Sequence, residues 1–146
     1  MLSHRMAEPS DVPLLADWNA QLIADEGHRH QLNPEQLRKR MSGWLSSIYR
    51  AAIFSESDAA VAYALFTDNQ KEIHLRHFFV VRDHRRRGIG RQAIQLLRDE
   101  VWPSDRRRVV DALAGNRQAI DFWRAVGFID YSITFEMLPE REEPGE

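Results

Sequence analysis

Phe78-Phe-Val-Val-Arg-Asp-His-Arg-Arg-Arg-Gly-Ile-Gly-Arg-Gln-Ala93 is the stretch on which the fold turns. It begins as a densely apolar strand, of the kind covered on both faces. It continues through a charged turn and enters a helix in which Ala93, Ile94, Leu96, Leu97 and Val101 recur at helical spacing. Trp102-Pro103 must end that helix, because proline cannot continue it. Gly88 and Gly90 remove side chains where the backbone turns, so successive N–H groups can converge on an anion at the positive end of the helix dipole. Arg85, Arg86, Arg87 and Arg91 add positive charge around Ile89 and the two glycines. Taken alone, the residues leave two readings open: a phosphate or pyrophosphate seat, or a tight turn with a solvated arginine face. Gly88-Ile-Gly-Arg-Gln-Ala93 also fits the G-x-G-x-x-A form of the dinucleotide fingerprint, and Asp111 follows at the spacing of its ribose-binding acid. Against that stand Asp83-His-Arg-Arg-Arg87, which separate strand from glycine where a dinucleotide turn is tight. Too little chain follows Ala93 for a full doubly wound sheet.

Upstream, Pro9-Ser-Asp-Val-Pro13 reads as a helix entry with Ser10 or Asp11 as cap, leading into Leu14, Leu15, Trp18, Leu22 and Ile23. Gly27 ends this helix, and Asn33-Pro34 opens a second one carrying Leu37, Met41, Trp44 and Leu45. The period then changes to that of strands, at Tyr49 to Phe54, Ala59 to Thr67 and about Ile73 to Val81, with polar turns between them. Downstream, Val109-Val-Asp-Ala-Leu113 reads as another strand. Asn116 caps a helix through Ile120, Phe122, Trp123 and Val126 that Gly127 closes, and Ile129 to Leu138 is a last extended stretch. The expected architecture is one α/β (α+β) domain over residues 1–146 with a mixed sheet flanked by helices, in the order β-α-α-β-β-β-α-β-α-β with room for a final β. Residues 139–146 read as an acidic, solvated tail.

The length of 146 residues fits one domain. Hydrophobic residues at 43% and charged residues at 29% place the chain among ordinary globular proteins and leave enough apolar surface for a core without staples. Absence of cysteine excludes disulfides and thiolate-ligated zinc, and no metal is expected. A net charge of −2 argues against a general polyanion binder. The arginine run is short and lacks interleaved aromatics, so nucleic acid is not an expected partner. No apolar run reaches the roughly 18 residues of a membrane span, so no membrane partner is expected and the expected location is cytoplasmic.

Val80-x-x-x-x-Arg85-x-x-Gly88-x-Gly90 resembles the acetyl-CoA-binding signature, R/Q-x-x-G-x-G/A, of the GNAT superfamily of N-acetyltransferases. Asn116-Arg-Gln-Ala-Ile-Asp-Phe-Trp-Arg-Ala-Val-Gly-Phe128 resembles the same family's second block, N-x-x-A-x-x-F-Y-x-x-x-G-F. The two blocks occur in the family's order behind two helices and a three-strand meander. The resemblance implies a splayed central sheet and acetyl transfer to a primary amine of a small molecule, peptide or protein. It also implies that the pantetheine arm of acetyl-CoA bonds to backbone along Phe78, Phe79 and Val80, and that the pyrophosphate sits on amides of Arg85, Arg86, Arg87, Gly88, Ile89, Gly90 and Arg91. Asn116 matches a position facing the cofactor and is equally a helix cap.

The family's usual acid is the tyrosine of F-Y, and here Trp123, grouped with the cofactor-binding positions, stands there. Indole N–H is too weak an acid to replace a phenol, so either Tyr131 serves or the thiolate leaves to solvent. For the base, the resemblance points to the strand region His74-Leu-Arg-His-Phe78. Imidazole as a side-chain type suits a base near neutral pH, which makes His74 and His77 candidates, and their odd spacing is expected to put them on opposite faces. Glu72 is a carboxylate fallback. Amine binding falls to the connection between the first two helices, where Asp25 and Glu26 could attract a cation beside His28. A GNAT-fold module that binds acyl-CoA without fast transfer is the alternative that Trp123 motivates. The short final stretch leaves the usual terminal strand pair either merged or completed by a partner chain, as in a homodimer.

Overall fold

Five strands form one sheet in the spatial order β1-β2-β3-β4-β5, in a computed structural model that describes residues 1–27 and 32–140. The strands are β1 (Leu2–Met6), β2 (Tyr49–Glu56), β3 (Ala59–Asp68), β4 (Glu72–Val80) and β5 (Arg107–Val110). The first four are antiparallel, and β5 joins β4 in parallel. Helices α1 (Val12–Glu26) and α2 (Pro34–Leu45) precede the meander. Helix α3 (Ile89–Leu96) connects β4 to β5, and α4 (Arg117–Ala125) follows β5.

Local chemistry sets the helix ends. Gly27 takes the left-handed φ of 71° that terminates α1. Asn33 and Gln36 form a reciprocal capping box, with Asn33 Oδ1 accepting from Gln36 N at 2.8 Å and Pro34 opening α2. At the other helix entry, Pro9–Asp11 forms a single 3₁₀ turn. The Asp11 carboxylate accepts from Glu8 N and from Arg5, so neither it nor Ser10 supplies a side-chain cap to α1. Helix α3 ends in a π turn over Leu97–Val101, closed by Trp102 N donating to Leu97 O at 2.7 Å, with Pro103 directly behind.

Each sheet face carries its own apolar cluster. Leu15, Trp18 and Leu22 of α1 and Met41 of α2 pack on Ile53, Tyr63, Leu65 and Phe79. On the other face Ile89, Ala93, Ile94 and Leu97 pack on Phe54, Phe66, Ile73 and Leu75. A central sheet apolar on both faces explains the nearly unbroken buried runs of β2 and β3.

One irregularity in β4 matters for the site. Leu65 of β3 is opposite His77, yet the next residue, Phe66, is opposite Leu75, so Arg76 is an extra, bulged residue. The extra residue inverts the alternation. Ile73 and Leu75 point into the α3 cluster, as do Phe78 and Val80 beyond the bulge, while Phe79 joins the α1–α2 cluster.

The strand expected at 109–113 is found earlier, at Arg107–Val110. Residues 128–139 run without turn or bend but join no ladder, so the expected last strand is extended chain without a sheet partner among the described residues.

Candidate active site

Strands β4 and β5 pair only over Glu72–Leu75 and Arg107–Val110, and then part. From the bulge at Arg76 through Val80, β4 keeps β3 on one side and, among the described residues, has no strand on the other. The backbone groups on that side are ladder donors and acceptors without a ladder. The gap opens just ahead of the glycine turn. There Arg86 and Gly88 both adopt left-handed φ, 65° and 77°, and Gly88 precedes the first residue of α3. This brings the amides of the turn and the first turn of α3 together at the positive end of the helix.

The arginines divide their work. Arg85 folds back, its Nε donating to Val80 O at 2.8 Å and its Nη2 to Asp25 at 2.7 Å, with the guanidinium 5.3 Å from the Phe79 ring centroid. Its side chain therefore braces the turn, while Arg86, Arg87 and Arg91 are exposed cations around it. Ile89 is buried in the core and contributes only backbone to the turn. Gly90 has a second reason to lack a side chain: a Cβ there would stand 3.1 Å from the Phe122 ring.

Asp25, expected to attract an amine, instead accepts from both Arg82 and Arg85 and ties the end of α1 to the glycine turn. Burial pushes its carboxyl up, but the two guanidiniums outweigh this and hold it below the usual carboxylate range. Glu26 is near enough to Tyr63 for its charge to act on that phenol. His28 lies outside the described residues.

The bulge puts both histidines on the α1–α2 side of the sheet, which corrects the expectation of opposite faces. His77 Nδ1 is 3.1 Å from the Tyr63 hydroxyl, and its ring meets Trp44 edge-on at 5.2 Å. Burial drives the Tyr63 phenol far above its ordinary range, Glu26 adds to the rise, and Arg40 opposes it, so the hydroxyl stays protonated. Arg40 and Arg76 lie over the same Trp44 ring, at 4.5 and 4.8 Å from its centroid. His74 Nε2 is 3.1 Å from Asp111 Oδ2, where β5 ends and the gap begins. Glu72 is committed to an ion pair with Arg107.

On the opposite side of β4, Phe78 stacks on Phe122 at 5.8 Å, and Trp123 packs edge-on against Phe78, Phe122 and Phe128. Trp123 is thus an aromatic wall next to Phe78. Asn116 caps α4, its Oδ1 accepting from Ala119 N at 3.2 Å. Tyr131 is not brought to the gap. It is 83% exposed, with the Arg107 guanidinium 4.6 Å from its ring, at the end of β5 where the strands are still paired. Sequence reasoning missed Tyr63, Trp44 and the bulge at Arg76. The only available signal was Tyr63 standing as a polar-tipped residue within the apolar run Val61–Phe66.

The fold agrees with solved acetyltransferases over nearly its full length. An aminoglycoside N-acetyltransferase, AAC(6')-Iy, in complex with CoA superposes with a TM-score of 0.75 at 15% identity, covering 96% of this chain and 95% of that one. A ribosomal-protein-alanine N-acetyltransferase from Brucella melitensis biovar Abortus 2308 gives 0.73 at 17% identity, over 94% of this chain and 100% of the other. A Clostridium acetobutylicum protein described as a predicted acetyltransferase, with acetyl-CoA, gives 0.71 at 18% identity over 94% and 96%. At these identities the likeness speaks for the fold. No curated protein matches the chain in sequence. The family model for the acetyltransferase (GNAT) domain matches residues 12–137, which include the parted strands, the glycine turn and the capped helix α4. The chain belongs to the GNAT acetyltransferases and is an acyltransferase.

Proposed function

We propose that this protein moves an acetyl group from acetyl-CoA to a primary amine by direct attack in a ternary complex, in the cytoplasm. The parting of β4 from β5 directly ahead of the Arg85–Gly90 turn carries the reading. An unpaired strand edge of Phe78, Phe79 and Val80 matches the amides and carbonyls of a pantetheine arm, and the converging amides from Arg85 to Arg91 match a pyrophosphate. A β4 amide at the gap is also positioned to polarise a thioester carbonyl. The residues present therefore fit acetyl-CoA as cosubstrate, and nothing in the chemistry calls for a metal.

The amine must be neutral when it attacks the thioester carbon. As the C–N bond forms and the C–S bond breaks, one proton leaves nitrogen and the thiolate gains one. His77 is the base that best fits the geometry. The Tyr63 hydroxyl and His77 Nδ1 share a hydrogen bond, and the tautomer that carries its proton on Nδ1 has the basic lone pair on Nε2. Glu26, whose charge is already felt at Tyr63, draws the cationic amine towards the same region. His74, held by Asp111 at the mouth of the gap, is the second imidazole available to a water chain. Trp123 packs and donates nothing, and Tyr131 is away from the gap, so the thiolate takes its proton from solvent.

Thiol release measured over a panel of small-molecule and peptide amines tests this. An active amine should lose about 10²-fold in kcat in His77→Gln, the scale of a lost general base, and Trp123→Phe should leave kcat within a few fold. An equal rate in His77→Gln contradicts the assignment. A second reading, a module that binds acyl-CoA without fast transfer, is favoured by the missing phenol at Trp123. Tight acetyl-CoA binding with no thiol release on any amine would establish it.

A further inference from the structure

Two arginines converge on one indole beside His77. Arg40 of α2 and Arg76, the bulged residue of β4, hold their guanidinium carbons 4.5 and 4.8 Å from the Trp44 ring centroid, and the same ring meets His77 edge-on at 5.2 Å. Among the described residues neither arginine pairs with a carboxylate. Arg40 Nη2 donates to Asn19 Oδ1 at 2.9 Å, and Arg76 Nη1 to the Tyr49 hydroxyl at 3.3 Å. Arg40 is half-buried, and its Nε is sealed from solvent with no acceptor. Burial, and after it the like charge of Arg76, holds the Arg40 guanidinium below its ordinary range. The indole face offsets part of this repulsion without neutralising either charge. What the pair lacks is an anion.

We propose that Arg40 and Arg76 bind a carboxylate of the acceptor, so that the molecule acetylated is an amino acid with its amine at His77 and its carboxylate at the two guanidiniums. This deepens the acetyl-transfer reading and rests on it, since it names the molecule whose amine His77 deprotonates. Guanidinium forks match the two oxygens of a carboxylate, one for each arginine. Base and cations border one indole, so the amine and the carboxylate are only a few bonds apart. A lysine side chain of a protein carries no carboxylate at that distance. Glu26, whose charge acts on Tyr63 beside His77, answers the amine, so acidic and basic groups of the site together suit a zwitterion. The same two cations repel a polyamine.

Thiol release from acetyl-CoA, measured over the twenty amino acids and their carboxamides, tests this, because the amide keeps the amine and loses the negative charge. At least one amino acid should exceed its amide about 10-fold in kcat/KM, through KM, the scale of a charge-assisted hydrogen bond. Arg76 is exposed, so its replacement leaves the core untouched. Arg76→Gln should cut the acid-to-amide ratio about 10-fold, and Arg76→Lys should restore part of it. An amide used as well as its acid, or an unchanged ratio in Arg76→Gln, overturns the proposal. Turnover confined to amines without a carboxylate also overturns it and leaves acetyl transfer standing. If no amine releases thiol, calorimetry on the CoA-loaded protein decides, with N-acetyl amino acids and their amides as titrants. Binding of an acid and not of its amide would then uphold the carboxylate site while transfer fails, and no acid bound would overturn the site as well.

Discussion

A Cβ on Gly90 would stand 3.1 Å from the Phe122 ring, tighter than ordinary packing, and Phe122 is in turn stacked on Phe78 of β4. Gly90→Ala should therefore cost about 1 to 3 kcal/mol in a denaturant melt, the scale of overpacking, and the added Phe122→Leu should recover part of it. No recovery would mean that the strain is in the backbone. Gly88 differs: a Cβ there would make only an ordinary contact with the Gln92 side chain at 3.8 Å, but its φ of 77° costs an L-residue about 1 to 2 kcal/mol. Asp25 gives a pH-dependent case. Its carboxyl is held below its unfolded value of about 3.9, so the ion pairs with Arg85 and Arg82 contribute fully above that pH and are lost as pH falls through the lower folded value. Asp25→Asn should cost about 1 to 2 kcal/mol at pH 7, and the difference from wild type should shrink below about pH 4. A pH-independent difference would show that the carboxylate's charge is not what matters. These ties were not legible beforehand, because Asp25 meets partners 57 and 60 residues away.

At the scale of elements, β4 does the most. Its bulge at Arg76 turns His77 towards Tyr63 while leaving Phe78 on the α3–α4 side. Period-two reasoning has no place for an extra residue, which is why the two histidines were expected on opposite faces. By contrast, α2 and α4 were legible to within a residue or two, since Asn33-Pro34 and Asn116 are local signals satisfied within one turn. The cap at Asn116 allows a test of its second role. Asn116→Asp keeps a side-chain acceptor for Ala119 N, so the melt should barely move. With the side chain also facing the anionic cofactor, as the family resemblance implies, the added negative charge should weaken acetyl-CoA binding severalfold. Unchanged affinity would reduce Asn116 to a cap.

For the whole molecule, the two sheet faces divide the labour. One carries α1, α2, Tyr63, His77 and Glu26, on the proposed acceptor side. The other carries the Phe78, Phe122 and Trp123 wall and α3. The gap between β4 and β5 opens between the two faces. This layout was legible from the two motif blocks and the order of periods, because a strand, a glycine turn and a helix in that order leave few ways to build the sheet. The end of the chain was not: an alternating apolar run reads as a strand whether its partner is in the same chain or another. The most direct test of the central claim, that the parted strands and the glycine turn hold acetyl-CoA, is a calorimetric titration of the wild-type chain with acetyl-CoA, with NADH as control. The account predicts saturable binding of acetyl-CoA, one per chain, and none of NADH. Absence of acetyl-CoA binding by the folded protein would contradict it.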